Sequence, residues 1–292
     1  MARHDFLDGA IDTHVHSGPD VISRWGTSID IARQAAAQGM RAIVLKDHLF
    51  PSVFKAHLTE QAVPEIRVFG GITLNRSVGG FDLRSVRAAL AAGARVVMFP
   101  TFDAKPTVER VHQHPIFLGH MLGTEPRPLP VVGEDGRGLV DEAESVLQEV
   151  AQHPEVILST GHLGPKEAIA VVERGRDIGI AHVVVEHPNA GYPDIFTMET
   201  LKRLADAGAY LALNFNAYHP AIGRKNPEEA VAIIQGVGPE RCTLITDGGQ
   251  PYSPSPPECM RMFCEMLYLL EVSTAALDMM VKTNPAQLLE LK

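Results

Sequence analysis

Eight short apolar runs recur along this chain, at residues 10–14, 42–45, 66–74, 95–99, 156–159, 182–185, 210–214 and 243–246. Continuous apolar runs bounded by turn residues suit strands covered on both faces, as in a parallel sheet. Between them lie segments of helical period: 28–38, stopped by Gly39, and 82–92, stopped by Gly93, then 139–153, 166–175, 197–207 and 227–235. Ser28 and Asp82 open the first two as N-cap candidates. Strand followed by helix, repeated eight times, predicts a (β/α)8 TIM barrel. The alternative is an open doubly wound sheet, and no GxGxxG follows the first run to support it. The tail, 257–292, predicts two or three extra helices at the C-terminus. With no linker and no internal repeat, residues 1–292 read as one barrel domain.

The stretch 100–138 breaks the rhythm with six prolines and several glycines. Loops of that length are commonly lids, binding loops or disordered segments. Following the fourth strand of a barrel, this one is expected over the catalytic mouth. The 26 basic and 35 acidic residues leave a net charge of −9. That balance excludes a general binder of nucleic acid or anionic membrane, yet permits a small anionic substrate held by a few local cations. No run of about 18 apolar residues suggests a membrane span. The first twelve residues, with Arg3, His4, Asp5 and Asp8, lack the apolar core of a secretory signal. Cys242, Cys259 and Cys264 are odd in number and form no CxxC pair, so a reducing, cytoplasmic setting is expected. A homo-oligomer is left open.

The chain has 13 histidines, and their placement carries the chemistry. His14 and His16 lie two apart at the end of the first strand. Alternation turns both imidazoles the same way, which in a barrel is toward the axis, where they can share a metal ion. The second strand ends Lys46-Asp47-His48, the fifth Ser159-Thr160-Gly161-His162, the sixth Glu186-His187-Pro188 and the eighth Thr246-Asp247-Gly248. Ionisable groups that end several parallel strands meet only at the C-terminal mouth, where barrels place their catalytic groups. Nitrogen and oxygen ligands without a thiolate suit a divalent metal, one or two per chain. Zinc is the first choice, with manganese, iron or nickel open.

This arrangement resembles the amidohydrolase superfamily of metal-dependent hydrolases, with HxH on the first strand, single histidines on the fifth and sixth and an aspartate on the eighth. The resemblance maps these onto His14, His16, His162, His187 and Asp247, and runs in order through nearly the whole chain. The tail segment Asn284-Pro285-Ala286 is similar to a helix start common near the end of such proteins. The DTHVHSGPD, VLKDH and STGHL segments resemble an uncharacterised amidohydrolase-related group. Binuclear members of the superfamily often bridge their metals with a carboxylated lysine at the end of the fourth strand, but that strand here ends Val97-Met98-Phe99-Pro100-Thr101. Lys46 stands on the second strand instead. It is carboxylated and bridging, or a charged group that holds an anionic substrate, or a surface lysine snorkelling to water. The Lys-Asp-His ending also resembles the Thr-Asp-His of polymerase-and-histidinol-phosphatase phosphoesterases, which makes His48 a metal ligand or a neighbour of one.

The implied activity is hydrolysis of a C–N or C–O bond (amide, lactone or ester) in a small molecule by metal-activated water. Asp247 takes the proton, and His187 or His162 serves as ligand, electrophile or acid. With two ions, His14, His16 and Asp247 would hold one, and His162 and His187 the other. A phosphoesterase is the first alternative and a metal-dependent decarboxylase or hydratase the second, with a non-enzymatic metal-binding barrel further off. Arg76 is a candidate clamp for a substrate carboxylate or phosphate. Asn214, Asn216, Tyr218 and His219, which follow the seventh strand, are candidate substrate donors. Gly79-Gly80 reads as a turn, and His112, His114 and His120 as surface groups of the long loop. His4, His57, His153 and His182 read as structural, and Met260, Met262 and Met266 as core packing.

Overall fold

The computed structural model describes residues 4–110, 125, 127–133, 136, 138–190 and 196–292. The eight strands are β1 (Ile11–Val15), β2 (Ala42–Leu45), β3 (Arg67–Phe69 and Gly71–Thr73), β4 (Val96–Met98), β5 (Ile157–Ser159), β6 (His182–Glu186), β7 (Tyr210–Asn214) and β8 (Cys242–Ile245). Each pairs with its sequence neighbour, and every pairing is parallel. The expected third strand is split at Gly70, where a Cβ would come within 2.7 Å of the Ser52 backbone. The outer strands then meet: Val15 bridges Gly248 in parallel, His16 N–H donates to Gly248 O (2.8 Å) and Asp247 N–H to His14 O (3.1 Å). The sheet thus comes round on itself in the barrel order.

The apolar residues divide into two cores. Ile11, Ala42, Val44, Phe69, Val96, Met98, Ile157, Val184, Ala212 and Ile245, from all eight strands, pack together inside the ring. Ala286, Leu288 and Leu289 from the last helix join them. The larger core lies between strands and helices, where Ile43, Leu45, Ile72, Val97, Leu158, Val183, Val185, Leu211 and Leu244 meet helical residues such as Ile31, Val86, Val146, Val171, Leu201 and Ile233. Strands with an apolar residue on each face need this second layer, which is why their runs are continuous in the sequence.

Two local expectations are corrected. The first helix, Ser28–Ala37, is capped by Thr27 rather than Ser28: Thr27 Oγ1 accepts from Asp30 N–H while Asp30 accepts from Thr27 N–H, a reciprocal capping box. A helix at Val53–Ala62 follows β2 where none was expected. Its large apolar side chains, Phe54 and Leu58, face solvent and only Val53, Ala56 and Thr59 are buried, so it lacks the usual amphipathic signature.

The segment after β4 carries a short helix, Lys105–Arg110, and a bridge between Val132 and Leu139. Residues 111–124, with His112, His114 and His120, lie outside the described residues. The tail forms helices at Pro256–Leu269, Thr274–Asp278 and Asn284–Leu288, with a π turn at Met279–Thr283. Asn284 Nδ2 donates to the carbonyls of Pro239 (2.8 Å) and Cys242 (2.7 Å), fastening the last helix to the start of β8. Cys242, Cys259 and Cys264 are free and buried. Among the described residues no helix is long and apolar enough to cross a membrane.

Candidate metal centre

The strand that bears the HxH pair does not alternate simply. Ile11 packs inside the ring and Val15 in the outer core, an even spacing that strict alternation would place on one face. The pairing supplies the reason: Asp12 sits opposite Ile43 and Val15 opposite Leu45, so β1 spends one residue more than β2 over the same stretch. This bulge reverses the phase of the strand. Ile11 therefore serves the apolar interior while His14 and His16, a few residues on, also turn inward above it.

Opposite them stands Asp247, two residues beyond Ile245 and on the same face. His16 Nε2 lies 3.1 Å and His14 Nε2 3.4 Å from Asp247 Oδ1. One donor atom from each of the three lies within 4.8 Å of the others. A tetrahedral ion with ligand bonds of about 2.0–2.1 Å sets neighbouring donor atoms about 3.3 Å apart, so the spacing fits a small divalent cation. His14 Nδ1 is 2.8 Å from Glu186 Oε2, and Ser159 Oγ donates to Glu186 Oε1 (2.9 Å). A carboxylate on Nδ1 puts the imidazole proton there and leaves the Nε2 lone pair for the centre. That Nε2 is buried and has no hydrogen-bond partner among the described residues. Burial pushes the Glu186 carboxyl up, but the charge and hydrogen bond of His14 outweigh it and hold it below its ordinary value.

The protonation states agree with a ligand set. Burial raises the Asp247 carboxyl, but the hydrogen bond with His16 and the rings of His14, His16 and His187 hold it well below the usual range. Burial, with the charges of Arg24 and Lys46, keeps His16 far below its ordinary value and neutral. Asp247 takes a left-handed backbone (φ 50°), rare for a residue with a side chain. Asn216 Nδ2 and Gln250 Nε2 both donate to its carbonyl and Asn214 Nδ2 donates to its Oδ2 (3.2 Å). Gly249 is required beside it: at φ 118° its absent Cβ would lie 2.0 Å from His16 O.

The remaining histidines complete a chain of rings. His16 stacks on His48 at 5.0 Å, His48 meets His162 at 6.0 Å, His162 meets His187 at 4.9 Å and His187 meets His14 at 5.9 Å between centroids. His187 follows Glu186 directly, yet both reach the site because His187 adopts φ 32°. Burial lowers His187 to about 4, and burial with the charges of His187 and Lys46 takes His162 well below its ordinary value. His162 Nδ1 contacts Thr107 Oγ1 (3.1 Å), and His48 Nδ1 contacts Thr101 Oγ1 (2.8 Å). Thr101 Oγ1 also accepts from Asn75 Nδ2 (2.8 Å). Among the described residues only His14, His16 and Asp247 form a three-donor group of metal-binding spacing; His48, His162 and His187 adjoin it.

The structure decides against one reading of Lys46. It is 6 % exposed, so it does not snorkel to water. Its Nζ is 3.1 Å from both ring nitrogens of His48, and burial lowers its pKa to about 8. Arg76 is not brought to the histidines by any described contact. It is half exposed and donates to the carbonyls of Arg127 (3.3 Å) and Pro128 (3.0 Å). Asn214 and Asn216 do reach the site, but their amide nitrogens serve Asp247. Tyr218 Oη accepts from Asn189 Nδ2 (3.0 Å), and His219 Nδ1 accepts from Ala221 N–H (3.1 Å). Gly79 and Gly80 form a left-handed turn. His4, His153 and His182 pair with Asp278, Glu155 and Glu290 away from the centre, and His57 meets Gln61. Met260 is buried in the core, Met266 packs against it and Met262 is exposed.

Sequence reasoning quoted Glu186 at the end of the sixth strand without giving it a role, and gave none to Gln250 or Asp12. Asp12 accepts from His14 N–H (3.2 Å), Thr246 N–H (3.2 Å) and Thr246 Oγ1, lacing β1 to β8 beneath the triad. Glu186 left a faint signal, since it stands two residues beyond Val184 and so on the inner face of β6.

Comparison with known proteins fits this geometry. The sequence model of a family of unknown function, DUF6282, matches residues 9–212. No curated protein matches the chain. Among solved structures, an amidohydrolase from Pseudomonas aeruginosa superposes with a TM-score of 0.58 at 11 % identity, over 98 % of this chain and 97 % of that one. A 2,6-dihydroxybenzoate decarboxylase, solved with 2,6-dihydroxybenzoate, gives 0.59 at 11 % identity, over 97 % and 100 %. An organophosphorus hydrolase variant from Deinococcus radiodurans gives 0.57 at 14 % identity, over 99 % and 95 %. At these identities the likeness is one of fold. The resemblance to the amidohydrolase superfamily read from the sequence holds at that level.

Proposed function

This chain belongs to the DUF6282 family, and from that premise we propose that it is a metal-dependent hydrolase acting on a C–N or C–O bond (amide, lactone or ester) of a small molecule. The observation that carries the reading is the buried His14 Nε2, which Glu186 orients toward the two other donors. A divalent ion, zinc in the first place, would be held by His14, His16 and Asp247. Once bound it supplies an activated water and a pull on a substrate oxygen.

The protein's own groups do the rest. Asp247 is the most open of the three, its side chain 20 % exposed against 1 % for His14 and 3 % for His16. Its carboxylate is the general base, and Asn214 steadies the Oδ2 atom as the proton arrives. Asn216 and Gln250 hold the Asp247 peptide in its left-handed turn, so that the carboxylate stays aimed inward. His187 and His162 line the far side, where a ring N–H can meet the oxygen or nitrogen on which charge develops.

The test is metal analysis of the purified protein with a substrate panel of amides, lactones, esters and paranitrophenyl phosphate. We expect about one divalent ion per chain, its loss in His14→Ala, and a fall in kcat/KM on an amide, lactone or ester of about a thousandfold, roughly 4 kcal/mol. Turnover of the phosphate ester alone would make the protein a phosphoesterase. Folded protein that retains no metal would end the proposal.

A further inference from the structure

The mouth beside β1 and β2 carries an unusual set of buried charges. Lys55 Nζ, with its side chain 15 % exposed, donates to Asp47 Oδ1 (2.8 Å) and to the carbonyls of Ser17 (3.2 Å) and Pro19 (2.9 Å). Arg24, 3 % exposed in its side chain, directs Nε (2.7 Å) and Nη2 (2.6 Å) to Asp20 Oδ2, and Asp20 Oδ1 accepts from Val21 N–H (2.6 Å). These two pairs cancel. Lys46 does not cancel: no carboxylate lies within ion-pair distance of its Nζ among the described residues, and its Nζ lies 3.1 Å from the ring nitrogens of His48, one of which can accept from it.

Opposite charge does act on Lys46 from further off, through Asp247, Glu186 and Asp20. All three are already engaged, Asp247 with His14 and His16, Glu186 with His14 and Ser159, and Asp20 with Arg24. A buried ammonium with no paired carboxylate is costly, and more so beside a dication, unless an anion comes between. The backbone next to Arg24 is tied to the rim, Trp25 N–H donating to Gly249 O (2.8 Å), and the Arg24 charge reaches both Lys46 and His16, with Asp20 opposing it at Lys46. Among the described residues the Arg24 Nε donates to one oxygen of Asp20, while the buried Nη2 lies 2.6 Å from the same oxygen without a hydrogen bond, and a guanidinium has five N–H donors. In a chain of net charge −9, the Lys46 cation is thus buried at this rim, with the paired Arg24 buried on the same side.

We propose that Lys46 and Arg24 form an oxyanion site on the β1–β2 side of the mouth, and that the substrate carries a carboxylate or phosphate there while its scissile bond lies at His14, His16 and Asp247. The inference rests on the hydrolase reading for the second half of that statement only. Arg24 is then a specificity residue, and Lys46 ties the anionic end of the substrate to β2.

The test measures anion affinity by calorimetry on the purified, metal-containing protein, with inorganic phosphate and succinate as separate probes. Lys46→Gln is expected to bind the preferred anion at least about tenfold more weakly with its metal content unchanged, and Lys46→Arg to stay within about threefold of the parent. Should Lys46→Gln fail to fold, Asp20→Asn with Arg24→Gln removes one charge of each sign together and is expected to weaken the same anion. Preference for phosphate or for succinate identifies the source of the oxyanion. Anion affinity equal to the parent's in the folded Lys46→Gln protein but lost in His14→Ala would assign the anion to the metal and overturn the site. So would the absence of binding by the parent. Lys46-dependent binding in a parent that holds no metal would retain the oxyanion site and defeat the hydrolase reading alone.

Discussion

The floor and the rim of this barrel are built from the same eight strands by opposite rules. On the floor, side chains from every strand alternate in and out, and the inner set is apolar from Ile11 to Ile245. At the rim the alternation is bent: β1 bulges between Asp12 and Val15, and His187 and Asp247 take left-handed backbones. The floor buries hydrocarbon and needs no special backbone, whereas the rim crowds imidazoles and carboxylates that gain nothing from mutual burial. Strain collected there, against a well-packed floor, is the arrangement expected of a site rather than of a core.

Three substitutions sharpen or break that contrast. Ile245→Ala should destabilise the fold by about 2–5 kcal/mol through a cavity in the inner core, while metal per folded chain stays that of the parent. Denaturant melts with metal analysis check it; loss of metal at equal folding would show that floor and rim are not separable. Asp12 lies at the join, and its carboxyl is lifted by burial from 3.8 to about 6. The folded chain therefore binds that proton more tightly than the unfolded one. Its contribution is full below the unfolded value and is lost as pH rises through about 6. Asp12→Asn should remove a loss on the order of 3 kcal/mol between those limits, read as the difference between parent and variant stability curves. A difference independent of pH would refute it. The smallest effect is expected from Glu186→Gln, which keeps the shape of the rim but weakens the hold on His14. Metal affinity should fall about tenfold to a hundredfold with the melting temperature unchanged. An unaltered affinity would leave Glu186 as packing.

Much of the floor was legible because hydrophobic burial is local in its demands: each strand had to be apolar on both faces wherever its neighbours lay. The convergence of His14, His16, His48, His162, His187 and Asp247 was legible too, since strand ends in a parallel barrel share one rim. What stayed hidden depended on partners far off in the chain. Asn214 and Asn216 read as substrate donors, and only the fold shows their amides turned to Asp247, because a carboxamide serves whichever acceptor the next strand brings. Lys46 allowed three readings in the sequence, and burial alone removed the surface one. The helix Val53–Ala62 escaped for a different reason, its apolar residues facing away from the core.

By itself, then, the order of residues determined a parallel α/β barrel and a set of nitrogen and oxygen donors at its C-terminal edge. Those follow from periodicity and strand direction, which a chain carries wherever it goes. The tertiary structure decided which donors come within bonding distance of a common ion, which carboxylate stands behind His14, and that Lys46 is buried with no carboxylate in ion-pair reach among the described residues. Such pairings are set by contacts between strands 172 to 231 residues apart, as in His14–Glu186 and His16–Asp247, and by single left-handed residues that no local pattern specifies.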